Sequence, residues 1–202
     1  MTKRINAKHK IERRYGTVLW DQEKSPVSVR SYAPGQHGTK PQKRGTEYKE
    51  QLSSKQILKG FYGDMPEKQF ARLVKEAQEA KGHAGDNLIA FLESRLDAFV
   101  FRAKWAVTPF MARQMVNHKH VSVNGRKVNI RSYRLRVGDV VTLDDTMKKS
   151  KTVLAAEESK REVPGYIESS SFEAKLVRLP ETKEVPFPFL VNTQSIIEYY
   201  SR

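Results

Sequence analysis

Thr108-Pro109-Phe110-Met111-Ala112-Arg113-Gln114-Met115-Val116-Asn117-His118-Lys119-His120-Val121-Ser122-Val123-Asn124-Gly125-Arg126-Lys127-Val128 is the stretch whose reading decides the fold. Thr108 suits a helix N-cap, and Pro109 suits the first helical position, where a missing N–H costs nothing. Ala112, Met115 and Val116 then recur at helical spacing. His118-Lys119-His120 falls at the helix end, where the dipole tolerates positive groups. Val121 and Val123 alternate with Ser122 as in a strand, and Asn124-Gly125 is the pair that a two-residue hairpin turn demands. The stretch therefore predicts a capped helix, a basic corner and a tight hairpin.

Charge gives this small fold a purpose. From Ala98 to Gly138 there is no Asp or Glu, while Arg102, Lys104, Arg113, Lys119, Arg126, Lys127, Arg131, Arg134 and Arg136 all fall inside the window. An ordinary solvated face is the plain alternative, but such faces usually mix signs. A long acid-free block with core periodicity suits a polyanion, and nucleic acid is the expected partner.

Working outward, the 202 residues carry a net charge of +14, with 38% apolar and 30% charged residues. That charge points to nucleic acid or an anionic membrane. No run of about 18 apolar residues is present, so no membrane span is expected. The absence of cysteine removes disulfides, thiolate zinc sites and cysteine nucleophiles. The N-terminus has no apolar core of a secretion signal. A cytoplasmic protein is expected, and because the N-terminus is basic an organellar one stays open. The charge is uneven: residues 1–46 and 98–143 each carry +8, whereas 47–97 and 144–202 each carry −1. Two basic segments alternate with two near-neutral ones, as a grip on RNA at two places requires.

Residues 1–46 read as a basic arm, broken by Pro26, Pro34-Gly35, Gly38, Pro41 and Gly45, with Tyr15, Trp20 and Tyr32 available to stack on bases or to anchor the arm. Its candidate RNA contacts are Lys3, Arg4, Lys8, Lys10, Arg13, Arg14, Gln36, His37, Lys43 and Arg44. Helices are expected around Leu52–Lys59, from Pro66 through Phe70, Leu73, Val74 and Ala77, and from an Asp86 cap along the stripe Leu88, Ile89, Leu92, Leu96 and Val100. After the hairpin come a loop at 129–133 and a strand pair, Leu135–Val137 with Val140–Leu143, around Gly138-Asp139. Residues 147–162 are charged and of helical character, followed by short extended pieces between prolines. A last short helix is expected over 192–200, docked because its end is too apolar for a free tail. The expected fold class is α+β. An extended basic arm (1–46) precedes a helical domain (47–91, completed by 144–202) and a small RNA-binding domain (92–143), in which helices pack on a short, mainly antiparallel sheet.

Arg95-Leu96-Asp97, Thr108 with Ala112-Arg113-Gln114, His118 and His120, Val123-Asn124-Gly125 and Gly138-Asp139-Val140 together resemble the S-four-type RNA-binding domain. Pro34-Gly35-Gln36-His37-Gly38, Tyr48, Gln51-Leu52, Lys55-Gln56, Tyr62-Gly63, Glu67-Lys68-Gln69-Phe70, Asp86-Asn87-Leu88 and the Ile197-to-Arg202 end extend the match. Over its full length the chain resembles the bacterial-type small-subunit ribosomal protein S-four family. That resemblance implies a primary ribosomal-RNA binder at a helix junction of the 5′ domain, which nucleates assembly of the subunit body. It also implies small-subunit protein five and other small-subunit proteins as partners, a link to translational accuracy, and a place near the mRNA entry, the protein being a monomer within the ribosome. Two departures stand out. Many members hold zinc in an N-terminal cysteine cluster, so here RNA or packing must order the arm. Many also carry an acidic residue where Met111 stands, closing a capping box, so this helix start is expected to be less firmly fixed.

On this reading Arg113, Lys119, Arg126, Lys127 and Arg134 take phosphates, with Arg131 beside them. Gln114, Asn117, His118, His120 and Ser132 take 2′-hydroxyls or base edges, and Asn124 and Gly125 close the hairpin with their backbone near RNA. Arg95 is a further RNA candidate, although an internal pair with Asp97 explains it as well. No catalytic site, metal or cofactor is expected, since Lys119 between His118 and His120 repels a cation. Pseudouridine synthases, which can carry an S-four-type domain and a catalytic Asp in an Arg-Leu-Asp context, are the enzymatic alternative. Here that triplet lies in the small domain and no second domain is large enough for catalysis. A stand-alone rescue or heat-stress factor would need only the small domain, and a membrane-surface binder would need an amphipathic helix that the basic segments lack.

Overall fold

The computed structural model describes residues 7, 9–20, 25–40, 45–159 and 161–201. The chain divides into two compact units, one running to Gly85 and resuming at Phe187, the other spanning Asp86–Pro186. The first begins with α1 (Lys10–Tyr15), α2 (Pro26–Val29), α3 (Glu47–Phe61) and α4 (Glu67–Glu79). Helix α5 (Ala84–Glu93) crosses the boundary. The second unit continues with α6 (Leu96–Arg102), α7 (Pro109–Asn117), β1 (Val121–Val123), β2 (Arg126–Lys127) and β3 (Val140–Leu143). It closes with α8 (Asp145–Lys148), α9 (Lys151–Glu157), β4 (Ile167–Ser170) and β5 (Glu173–Leu176), and α10 (Thr193–Tyr200) completes the first unit. The α+β class is as expected.

In the first unit local rules and packing agree. Thr46 caps α3 by accepting the Lys49 N–H, and Glu47 and Glu50 occupy its dipole-favoured first turn. Helix α4 buries the stripe Phe70, Leu73, Val74 and Ala77. The C-terminal helix docks as its apolar end demands: Ile196 is buried, the Tyr200 hydroxyl donates to Glu67 Oε1 (2.6 Å), and Lys55 Nζ donates to the same oxygen (2.8 Å). Lys55 Nζ also lies 4.2 Å from the centroid of the Tyr199 ring. Burial works against the Lys55 charge, but hydrogen bonds to Glu67 and Tyr199 outweigh it and hold the ammonium above its ordinary range. The basic arm is more folded than an extended tail. Trp20 is only 1% exposed and its Nε1–H donates to the Phe61 carbonyl (3.1 Å), so it anchors instead of stacking on a base.

The second unit is built around an antiparallel sheet of order β2-β1-β3-β5-β4. Leu96, Phe99 and Val100 of α6 and Ala112, Met115 and Val116 of α7 form its core with Val121, Val123, Val141, Leu143 and Leu176 of the strands. Thr108 caps α7 by accepting the Met111 N–H (3.3 Å), so the first half of a capping box forms without an acidic residue. Asn124 and Gly125 both have positive φ (48° and 77°), as the hairpin turn requires. Asn124 does more than turn the chain. Its Nδ2 donates to Asp139 Oδ1 (2.9 Å), its Oδ1 accepts the Val140 N–H (2.9 Å), and its own N–H donates to the Val140 carbonyl (2.8 Å). Asp139 Oδ2 in turn accepts the Arg136 N–H (2.8 Å). The Asn-Gly and Gly-Asp-Val motifs are therefore two halves of one clamp.

Three expectations change. The stripe from Leu88 to Val100 is not one helix, because the chain breaks at Ser94-Arg95. There the Leu135 N–H donates to the Ser94 carbonyl (2.8 Å), the Leu96 N–H to the Tyr133 carbonyl (2.9 Å), and Arg95 pairs with Arg134. That use of residues 131–135 also explains why Leu135–Val137 forms no hairpin with β3, which pairs with β1 and β5 instead. Finally, the segment beyond Leu143 does not all return to the helical unit: β5 pairs with β3, Val141 facing Ala174, so the second unit runs on to Pro186.

Behind the break lies a buried charge cluster. Arg102 Nη2 and Nε donate to Glu93 Oε1 (2.9 Å) and Oε2 (3.0 Å), Tyr166 donates to Oε2 (2.8 Å), and Arg102 Nη1 reaches the Pro186 carbonyl (3.0 Å). Burial, and then the Glu93 charge, push the Tyr166 hydroxyl above its ordinary pKa. Replacing Arg102 with Met strands the Glu93 carboxylate, and urea unfolding should show a loss of about 3–5 kcal/mol. Tyr166→Phe should cost about 1–2 kcal/mol. Because the folded pKa of Tyr166 is raised, its contribution is complete below about pH 10, where an unfolded tyrosine titrates, and should decline above it. A Tyr166→Phe protein that loses stability as steeply as the parent above pH 10 would contradict this. Asn124→Ala removes two clamp bonds and a residue suited to positive φ, and should cost about 2 kcal/mol in the same assay.

Candidate nucleic-acid interface

The cations of the acid-free block are held by backbone geometry. Helix α7 ends in a Schellman turn: the His120 N–H donates to the Met115 carbonyl (3.1 Å) and the Lys119 N–H to the Val116 carbonyl (3.0 Å). Lys119 occupies the left-handed position (φ 64°) where glycine is cheapest. Helix α6 ends the same way, with Lys104 at φ 62° and the Trp105 N–H donating to the Val100 carbonyl (3.3 Å). Both lysines are presented from a rigid turn. Next along the chain, Gln114, His118 and Lys119 are exposed, while Arg113, Asn117 and His120 are partly so. The Arg113 guanidinium lies 5.9 Å from the Phe110 ring centroid, and the His118 and His120 rings are 6.1 Å apart.

The hairpin carries exposed Arg126 and Lys127. Lys127 Nζ approaches Asp144 Oδ1 at 3.4 Å, and His120 Nδ1 lies 3.9 Å from Asp144 Oδ2. A hydrogen bond from Thr146 holds the Asp144 carboxyl below its usual range against its partial desolvation, with Lys127 and His120 adding to the effect. Charge counting missed this acid because it stands just beyond the block. Among the described residues Lys119 and Arg126 have no acidic partner. Arg134 is exposed and stacks its guanidinium 4.3 Å from the Phe91 ring centroid. Arg131 and Ser132 are half-buried in their turn, where burial draws the Arg131 guanidinium below its ordinary pKa.

Arg95 is corrected by its surroundings. It is 2% exposed, and its Nε and Nη2 donate to Asp97 Oδ1 (3.1 Å) and Oδ2 (3.0 Å). It orients the start of α6 and offers no surface to RNA. In the arm, Lys10 and Arg14 are exposed, whereas Arg13 is partly buried and donates to the Tyr32 carbonyl (3.3 Å), its guanidinium 5.0 Å from that ring's centroid. Tyr32 itself stays 43% exposed. Gln36 and His37 are exposed on a turn closed by the Gly38 N–H donating to the Gly35 carbonyl (3.1 Å). A Cβ at Gly38 would lie 1.8 Å from the Ala33 carbonyl oxygen, so the turn requires glycine there. Lys3, Arg4, Lys8, Lys43 and Arg44 lie outside the described residues. Among the described residues no group of three or more His, Asp or Glu is placed to hold a metal, and no helix is long and apolar enough to cross a membrane.

Comparison with known families agrees with this geometry. Residues 3–93 match the ribosomal protein S4/S9 N-terminal domain, and residues 94–141 match the S4 domain. The junction between the two falls at the helix break at Ser94. The chain is 48% identical to the small ribosomal subunit protein uS4 of Roseobacter denitrificans and 49% identical to that of Chelativorans sp., over 205 aligned positions covering the whole of both chains. It is 46% identical, at the same coverage, to uS4 of Methylobacterium radiotolerans. Full-length similarity at this level, on a basic S4 fold, means that the chain belongs to the S4 family of small-subunit ribosomal proteins, structural constituents of the ribosome and not enzymes.

Proposed function

We propose that the chain binds small-subunit ribosomal RNA directly, at a multi-helix junction of the 5′ domain, and nucleates assembly of the subunit body as a monomer. With small-subunit protein five it contributes to translational accuracy, in the cytoplasm of a bacterial cell. The junction and protein five rest on the family resemblance. The RNA contact rests on one observation: a block without acid is folded into a capped helix, a Schellman turn and a clamped hairpin, so its cations stand at fixed spacing.

The mechanism is electrostatic capture followed by selection for shape. Lysine and arginine neutralise phosphates and release counterions, which gives affinity without sequence information. A rigid cation spacing then favours RNA already folded to match it. Arg113, Lys119, Arg126, Lys127 and Arg134 take phosphates, with Arg131 adding charge behind them. Gln114, Asn117, His118, His120 and Ser132 supply donors and acceptors for 2′-hydroxyls and base edges. The Asn124-Gly125 turn brings backbone close to the RNA. Lys10, Arg14, Gln36 and His37 of the arm make a second contact. The helical unit carries the arm, and the unit from Asp86 to Pro186 carries the block.

Arg113→Glu combined with Lys127→Glu should abolish filter binding to a 5′-domain transcript while circular dichroism stays unchanged. Superimposable binding curves for variant and parent would refute this face. Lys119→Gly separates fold from function. Relief of the left-handed backbone should raise stability by about 1 kcal/mol, while the slope of log K against log salt should drop by about 0.7–0.9, one phosphate's worth. A more stable variant with an unaltered slope would remove Lys119 from the interface.

A further inference from the structure

Glu12 is the one acidic residue among the basic groups of α1, and its side chain is 0% exposed. Its carboxylate is fully engaged. Oε1 accepts the backbone N–H groups of Leu19 (3.0 Å) and Trp20 (3.3 Å), while Oε2 accepts the Ser25 hydroxyl (3.4 Å) and meets the His9 imidazole. The Glu12 main-chain carbonyl accepts the Thr17 N–H (3.2 Å). One residue thus gathers segments at 9, 17–20 and 25, which themselves lie in no strand or helix. The Trp20 ring, fixed on the far side by the Phe61 carbonyl, lies edge-on to His9 with ring centroids 6.1 Å apart.

Zinc bound by N-terminal cysteines, the device that the family resemblance implies for many members, does not fit here. The chain has no cysteine, and the Glu12 oxygens already accept protein donors where a metal would need their lone pairs. A buried carboxylate is tolerable only when hydrogen bonds replace its water, and here they do.

We infer that the Glu12 clasp is a metal-free substitute for that zinc site, and that Glu12 is the positioning residue for the arm's RNA contact. The exposed cations it sets in place are Lys10 and Arg14, one helical turn apart on α1. Both edge a hollow of about 300 Å³ that Tyr15 and Gln56 also line. The ligand class is the phosphodiester backbone of ribosomal RNA, so the inference rests on the proposed RNA-binding function and adds to it the residue that holds the arm contact in place.

The test uses the full chain, a 5′-domain ribosomal RNA transcript, and the variants Glu12→Leu and Glu12→Gln. Tryptic cleavage after Arg13 and Arg14 reads the clasp, and the salt dependence of binding reads the contact. Glu12→Leu should be cut at least tenfold faster at those sites and lose about 1.4–1.8 from the log–log salt slope, two phosphates' worth. Glu12→Gln keeps the accepting oxygen for Leu19 and Trp20 and should restore most of both. Treating the parent with EDTA, and removing the chelator before the transcript is added, should change neither. A Glu12→Leu protein that is cut faster yet keeps the parental slope would overturn the positioning role, and an EDTA-sensitive parent would overturn the metal-free clasp. Should Glu12→Leu fail to fold, Lys10→Ala with Arg14→Ala must lose the same slope for the contact to stand. A parent chain that ignores the transcript altogether would sink the RNA-binding function, and the cleavage and EDTA results would still decide the clasp.

Discussion

Like charges packed at close spacing repel, so a basic surface keeps a definite shape only if something other than surface ion pairing holds it. That constraint runs through the second unit. The stretch from Ala98 to Gly138 contains no acid of its own. The spacing is set instead by the Thr108 cap, the main-chain bonds of the Schellman turns at Lys104 and Lys119, and the side-chain clamp of Asn124 on Asp139 and Val140. Acids are present but kept behind or at the border. Glu93 and Asp97 are buried against Arg102 and Arg95, and Asp139 and Asp144 sit at the end of the block. Arg95 and Arg102 take up the buried acids and Lys127 approaches Asp144, while Lys119 and Arg126 have no acidic partner among the described residues.

Rules acting over a few residues were legible. Thr108-Pro109 forecast the start of α7, Asn124-Gly125 the hairpin, and the stripe Phe70, Leu73, Val74, Ala77 the buried face of α4. What escaped was decided by distant partners. Nothing local says that the helix running past Leu92 must stop at Ser94, since the reason lies in residues 131–135 taking its backbone bonds. Strands β4 and β5 are four residues each: IESS has no alternation, and EAKL alternates but over too few residues to stand out. Their place beside β3 is a fact of tertiary pairing. Arg95 shows the same blind spot in the candidate interface: charge was visible, burial was not.

The arm makes a similar point about order. Its prolines, glycines and charge argued for an extended segment, and composition alone gives no other answer. The structure orders residues 9–20 by one buried carboxylate and one buried indole, each satisfied by backbone groups. No sequence rule flags Glu12, because a single Glu amid lysines and arginines reads as a surface ion pair.

Lys104 and Lys119 both hold left-handed backbone at a helix end. An L-residue in the left-handed region costs about 1–2 kcal/mol relative to the ordinary helical well, and glycine would relieve it at either site. Asn124 shares the region, yet its side chain makes two further bonds, so its strain is offset within the fold. The charge of Lys119 meets no acidic partner among the described residues, and strain without a local return belongs at a functional position. The Schellman geometry gives the return its form: the turn fixes φ and ψ, so the ammonium projects from a backbone that has already lost its freedom. For the proposed phosphate contact this leaves less entropy to be lost on docking, so the strain serves binding only through the order it imposes beforehand.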